Sequence, residues 1–387
     1  MFNPDLVNID LLKTRAYNLR WATVKDGIIP LTAADPDFQS APEIAEAIGN
    51  FAKERYLCYG PAEGLPEFKE SIAHYFNIKR NVPASPETIL PIDSAAFGIY
   101  LTCKAFLKTG DEAIIFDPVD FLFRYSIEAV NAVAVPFAIV AGTSHMDFEK
   151  LESMISSKTK LICLCNPLNP TGKVFTKQEL LYLGNIAVKY NLVILSDEIW
   201  SDIVYTPNVF TSIASVNADI RARTITIMGF SKSYGLAGLR IGAVLAHNEA
   251  HFRKLMEASL HHSTIHGANV ISQIAATAAL NKCGYWLNDF LLHLHKMRNL
   301  CISELNTISG IKCASPEGCY VAFANISGTG KTSAEIHQIL LDTAKVSVVP
   351  GCQEWFGKGA EGYIRLSFAT SEKILTEALS RIKQTLN

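Results

Sequence analysis

Lys232 follows an apolar run, TITIMGFSK, and opens a glycine-punctuated turn in which Arg240 stands eight residues further on. A lone lysine is usually a surface charge. One held in a partly desolvated place has a lowered pKa and forms Schiff bases with carbonyl compounds. An arginine close by suits a phosphate ester. Arg365 lies inside another strand-like run, YIRLSFA, among residues of buried type. A strand arginine is more often a surface residue, but an unpaired guanidinium among such neighbours is costly. Asp197 closes a third run, LVILSDE. The lesser reading is a helix N-cap after a strand.

These residues need a scaffold that brings strand ends together. DEAIIFDP, KLICLCNP, LVILSDE and TITIMGFSK each carry about four β-branched or apolar residues and then a polar residue or proline. That is the pattern of buried parallel strands with helices on both faces. Asn166, Asp197 and Lys232 all follow the C-terminal ends of such runs, the edge where open α/β sheets bind ligands. Helical spacing recurs in PEIAEAIGNF, LPEFKESIAHYF, SAAFGIYLTCKAFL and Tyr285–Leu305. The apolar stretch Ala129–Ala141 reads as a buried strand with flanks. The last hundred or so residues group GCYVAFANI, KVSVVPG and YIRLSFA as strands before a closing helix, which predicts a smaller α+β domain.

Composition narrows the function classes. The chain has 387 residues, 49% hydrophobic and 19% charged, which suits two globular domains. Thirty-five basic against thirty-seven acidic residues leave a net charge of −2, without a basic stripe for nucleic acid or an anionic membrane. The mean hydropathy is +0.17, yet no apolar run approaches the roughly 18 residues of a spanning helix. The start, MFNPDLVNID, does not read as a signal peptide. Nine cysteines without a CxxC pair read as buried free thiols, and a cytoplasmic protein is expected.

Several motifs fail on inspection. Gly328-Thr-Gly-Lys331-Thr332 ends like a phosphate-binding P-loop, but Asn325 stands where the first glycine is required, so a solvated turn is expected. His262 and His266 have the spacing of a helical zinc pair without the carboxylate of HExxH, and no metal is expected. Neither GxSxG nor a strand-following GxGxxG occurs.

The segment GFSKSYGLAGLRIG (229–242) resembles the pyridoxal-phosphate attachment site of class I/II aminotransferases, of fold type I. The resemblance covers most of the chain. NPLNPTGKVF (166–175) is similar to the family's Asn-Pro-x-Asn-Pro-x-Gly turn, SDEIW (196–200) to its Asp-Glu strand end, and YIRLSFA (363–369) to its arginine strand. LTAADPDF, YGPAEGLPEFK and SVVPG match further signatures in the family's order. The implied fold is α/β: a large domain (43–283) with a mostly parallel seven-stranded sheet between helices, and a smaller α+β domain. The arm at 1–42 and the segment 284–387 would form the latter.

The resemblance implies pyridoxal 5′-phosphate as cofactor and a role for each matching residue. Lys232 would bind it covalently and act as the base that moves the substrate's Cα proton. Asp197 would pair with the pyridine nitrogen, and Asn169 and Trp200 would reach the ring oxygen. Arg240, Ser231 and the backbone at Ser94, Ala95 and Ala96, the start of a predicted helix, would grip the phosphate. Arg365, with Ala34 and Asn169 beside it, would hold the α-carboxylate of the substrate. Tyr59 would reach the phosphate of a neighbouring subunit, which implies a homodimer with shared active sites.

The chain also departs from the family pattern. Trp200 stands where many relatives carry tyrosine, or histidine in the carbon–sulfur lyase branch. Ser94 replaces a common glycine. Asp120, in DPVDFLF, occupies the place of the aromatic ring that stacks on the cofactor; Phe121 is expected to take over, with Phe123 as the other candidate and a ring unstacked on one face as the third reading. The loop HHSTIHGAN (261–269) offers no arginine for a second substrate carboxylate, which disfavours aspartate and glutamate. Apolar and aromatic residues about the N-terminal loop point to an uncharged side chain.

The expected reaction is transfer of an amino group from an L-amino acid to a 2-oxo acid. The alternative is β-elimination of the cystathionine β-lyase type, which begins by removing the same proton. AGLRIG is more like the transferase branch; LTAADPDF has some of the lyase flavour. A non-enzymatic sensor of this fold is a third reading, disfavoured by the near-neutral charge and the lack of a basic N-terminal extension.

Overall fold

A computed structural model describes residues 2–139 and 146–387. Its strands are β1 (Ile29–Pro30), β2 (Ile89–Ile92), β3 (Glu112–Asp117), β4 (Val133–Ala138), β5 (Thr159–Cys165) and β6 (Val193–Asp197). They continue as β7 (Thr224–Gly229), β8 (Gly242–Ala246), β9 (Val321–Asn325), β10 (Val346–Ser347), β11 (Val349–Pro350) and β12 (Tyr363–Ser367). Seven form one sheet in the order β2-β8-β7-β6-β5-β3-β4. The ladders joining β4, β3, β5, β6 and β7 are parallel, and β8 runs antiparallel to both its neighbours. Only β8 is therefore reversed, and the C-terminal ends of β2, β3, β5, β6 and β7 share one edge. This is the α/β architecture expected from the apolar runs.

The central strands are buried almost throughout, as runs of Ile, Leu and Cys without alternation require when helices cover both faces. The helix Ala95–Phe106 lies close on this sheet. A Cβ at Gly98 would come within 2.8 Å of Ile92 and 2.9 Å of Ile227, so only glycine permits the approach. Its N-cap, Ser94, accepts the amide of Phe97 through Oγ at 3.1 Å. Ser94 has φ −173°, an extended conformation open to any residue, so its replacement of glycine costs nothing in backbone strain. Helix Lys177–Lys189 opens with a reciprocal Thr176–Glu179 capping box directly after the Asn-Pro turn.

The apolar stretch at 129–141 departs from expectation. Its strand, β4, ends the sheet, and Phe137 is its one buried residue. Pro136 has no amide to donate to a second ladder, so it is tolerated at an edge. Residues 140 and 141 lie outside the described residues.

A second sheet, β11-β12-β9, is antiparallel and carries Arg365, which pairs in register with Phe323 and Val349. β1 pairs in parallel with β10, tying the N-terminal arm to the C-terminal segment. The P-loop look-alike is a short turn at Ser327–Thr329, and Thr332 caps the next helix with Glu335. The cysteines are unpaired; seven are buried, while Cys58 is exposed and Cys352 half-buried. No helix among the described residues is long and apolar enough to cross a membrane.

Candidate active site

A cavity of about 250 Å³ opens at the shared strand edge. Of the residues assigned to cofactor or substrate, Ala34, Ser94, Ala95, Ala96, Asn169, Asp197 and Trp200 line it, with Ser231, Lys232, Arg240 and Arg365. Residues more than three hundred positions apart in sequence meet here because β1–β10 pairing folds the arm against the segment that holds Arg365.

Lys232 sits three residues beyond β7. Its Nζ donates to the carbonyl oxygen of Ala34 at 2.6 Å, and Tyr320 Oη donates to the same oxygen at 3.1 Å. The ammonium also lies 5.2 Å from the centre of the Trp200 ring. Burial lowers the lysine's pKa, with Asp35 and Asp120 pulling it back in part. The neighbouring Ser233 donates through Oγ to Asp202 at 2.8 Å, and Asp202 is paired with Arg80. The turn that carries the lysine is thus tied down on both sides.

Asp197 ends β6. The amide of Ile199 donates to its Oδ1 at 3.1 Å. Burial pushes its carboxyl up to about 7, and Asp120 and Glu198 add to the rise. Glu198 is also raised to about 7 by burial, although Ser212 and Ser196 donate to its Oε1 at 2.6 and 3.0 Å.

Arg365 is 8% exposed. Nη1 donates to Asn169 Oδ1 at 3.1 Å and Nη2 to the Thr32 carbonyl at 2.9 Å, while Nε is buried without a partner. Asn169 in turn donates through Nδ2 to Asp120 Oδ2 at 2.8 Å. Among the described residues, none of Asp120, Asp197, Arg240 and Arg365 has an oppositely charged side chain within 4.0 Å. Four charged groups around one cavity, each without an ion-pair partner, are suited to an ionic ligand.

The N-terminal loop is fixed by a fully buried pair. Arg20 Nη2 lies 2.7 Å from Asp37 Oδ1, which also accepts from Trp21 Nε1 at 2.8 Å. The Asp37 amide donates to the Ala369 carbonyl at 3.1 Å. Ala34 is held between these anchors.

Phe121 and Tyr59 are elsewhere. Phe121 does not line the cavity; its ring packs edge-on against Tyr125 and Trp355 at 5.3 and 5.2 Å. Phe123 lines the cavity instead, because the turn at 120–122 starts a short helix that points Phe123 inward. Tyr59 is 89% exposed, with its ring 4.9 Å from that of His266. Ile99, Asp120, Leu122, Cys165, Ile199 and Ala237 complete the wall. Asn166 is used structurally, taking the Phe175 amide and donating to the Thr211 carbonyl. No group of three His, Cys, Asp or Glu among the described residues could hold a metal ion.

Residues 26–382 match the family model described as aminotransferase class I and II. The aspartate aminotransferase of Pyrococcus abyssi is 32% identical over 99% of this chain and 97% of its own. Among solved structures, an aromatic aminotransferase from Pyrococcus horikoshii superposes with TM-score 0.88 at 28% identity, covering 94% of this chain and 96% of that one. A pyridoxal-phosphate-bound protein of Clostridium difficile superposes with TM-score 0.89 at 29% identity, over 97% and 96%. The chain belongs to the class I and II aminotransferases, whose cofactor is pyridoxal 5′-phosphate.

The residues present fit that cofactor. Asp197 offers a buried carboxyl without a cation. The first amides of helix Ala95–Phe106, at Ala95 and Ala96, have no partner within the helix, and Arg240 stands beside them. Lys232 lines the same cavity.

Proposed function

We propose that this protein transfers an amino group from an L-amino acid to a 2-oxo acid, with Lys232 as the residue that anchors the cofactor and moves the proton at the substrate's Cα. Arg240, Ser231 and the backbone at Ser94, Ala95 and Ala96 would hold the phosphate. Asp197 would hold the ring nitrogen, and Asn169 and Trp200 the ring oxygen. Phe123 takes the wall position expected of Phe121. When bound, pyridoxal phosphate supplies an electron sink for negative charge at Cα.

Lys232 is suited to its part because burial favours its neutral form, the form that accepts a proton. The Ala34 carbonyl and Tyr320 restrict where Nζ can swing. Arg365 is the observation that carries the reading: a buried guanidinium at the cavity wall, with a free Nε and no carboxylate of its own. A substrate α-carboxylate supplies the missing anion, and Asn169 fixes the plane of the fork. Both the amino acid and the oxo acid carry that carboxylate, so one clamp serves both halves of a transfer.

The exposed Tyr59, next to exposed Tyr56 and Leu57, supports a homodimer in which this segment meets a second copy. The domain boundaries proposed are 42/43 and 283/284, the second at Cys283 between two successive helices. The absence of disulfides among the described residues is compatible with a cytoplasmic setting.

Incubation with a ¹⁵N-labelled amino acid and an unlabelled 2-oxo acid tests the activity. Label is expected in the new amino acid. Label in free ammonia alone would point to β-elimination.

A further inference from the structure

Asp120 is a charged residue of the cavity wall to which the reading above gives no task. It lies in the turn after β3, which is clamped from the C-terminal segment: the Val119 amide donates to the Phe356 carbonyl, and the Phe121 amide to the Trp355 carbonyl, both at 2.9 Å. The Asp120 amide donates to the Asn169 carbonyl at 3.2 Å, and the Leu122 amide caps Asp120 Oδ1 at 3.2 Å. The carboxylate is therefore held in place at the cavity and does not swing on a loose loop.

Its relation to Arg365 is specific. One amide, that of Asn169, separates them, accepting from Arg365 Nη1 at 3.1 Å and donating to Asp120 Oδ2 at 2.8 Å. The charged side chains lining the cavity are Lys232, Arg240, Arg365, Asp120 and Asp197. On the proposed reading, the cofactor occupies Lys232, Arg240 and Asp197, and the substrate's α-carboxylate occupies Arg365. Asp120 is left over, a short distance from where the substrate is held.

We propose that Asp120 is the specificity-determining residue of this site, and that it selects amino donors whose side chain carries a cation, an ammonium or guanidinium, over donors with a second carboxylate. The inference rests on the aminotransferase reading. It differs from the sequence expectation of an uncharged side chain, which is drawn from the residues about the N-terminal loop. Burial raises the Asp120 carboxyl's pKa, and Arg365 is the strongest influence opposing that rise. A bound α-carboxylate neutralises Arg365, so the charge on Asp120 then lacks its main support. A side-chain cation restores it; a side-chain carboxylate places a like charge in the same low-dielectric wall. Among the cavity-lining residues, no further arginine or lysine waits for a second carboxylate.

The test uses the wild-type holoenzyme and Asp120→Asn, with kcat/KM measured for lysine, ornithine and arginine against aspartate and glutamate. The wild type is expected to favour the basic donors by about tenfold or more, and the variant to lose most of that ratio. Asp120→Glu keeps the charge and is expected to keep the sign of the preference. An equal loss with every donor, leaving the ratio intact, would reduce Asp120 to a structural role and overturn the proposal. A wild-type preference for aspartate or glutamate would overturn it without any variant, so the proposal stays testable if Asp120→Asn does not fold. Silence of the wild type with every amino acid would instead sink the aminotransferase reading, and this inference with it.

Discussion

Lys232 donates from Nζ to the carbonyl oxygen of Ala34 at 2.6 Å, joining the end of β7 to a loop 198 residues earlier in the chain. The contact is possible because the Arg20–Asp37 pair pins that loop and β1 docks on β10. The Lys232 amine is therefore oriented by the N-terminal arm as well as by the sheet that presents it.

Replacing Lys232 by Ala is expected to abolish covalent attachment of the cofactor while leaving the fold intact. Loss of a positioned base costs about 10²–10⁴-fold in rate, and loss of the covalent anchor adds to that. Borohydride reduction followed by mass measurement checks the attachment. Cofactor trapped on the variant protein would show that another lysine is the anchor.

Arg365→Lys keeps the charge and loses the fork. A KM increase of about tenfold or more is expected for both the amino acid and the oxo acid, since a point charge cannot replace two parallel bonds. Steady-state kinetics with each substrate varied in turn provide the check. An unchanged KM would place the carboxylate elsewhere.

Asp197 and Glu198 give the cofactor-free protein a pH dependence. Burial raises both to about 7, above the ordinary carboxylate range they return to on unfolding. The folded state therefore binds these protons more tightly than the unfolded chain. Their contribution to stability is complete below about pH 4 and is lost as the pH rises toward 7. Urea unfolding of the cofactor-free protein at pH 5, 6 and 7 is expected to show this fall, and Asp197→Asn to make it shallower. An identical slope in the variant would contradict the assignment.

Asp37→Ala leaves the Arg20 guanidinium buried without its carboxylate. Breaking such a pair costs about 3–5 kcal/mol, so a lower urea midpoint is expected at unchanged slope. Because the pair holds the Ala34 loop, activity of the folded fraction is expected to fall as well. A stable, fully active variant would mean that the loop is positioned by other contacts.

The strand ends were legible because a polar residue after four buried apolar ones marks where a parallel strand leaves the sheet. Asp197 and Lys232 stand out in this way, and the helix opened by Ser94 was marked by its cap. The wall formed by Asp120 and Phe123 was not. Its shape depends on amides of the 118–123 turn meeting carbonyls of Trp355 and Phe356, and no local periodicity reports such contacts. Phe121 and Phe123 are equivalent by composition; only the helix starting at Leu122 separates them. β4 misled for a related reason, since an apolar run does not reveal whether a strand ends the sheet.

The roles proposed for Lys232 and Arg365 require an amino-group transfer in two separable halves. The most direct measurement follows the purified holoenzyme with an amino acid and no oxo acid, quantifying both the oxo acid formed and free ammonia. One equivalent of oxo acid per active site is expected, then arrest, no ammonia, and recovery when a second oxo acid is added. Continuous release of ammonia without an acceptor would contradict it.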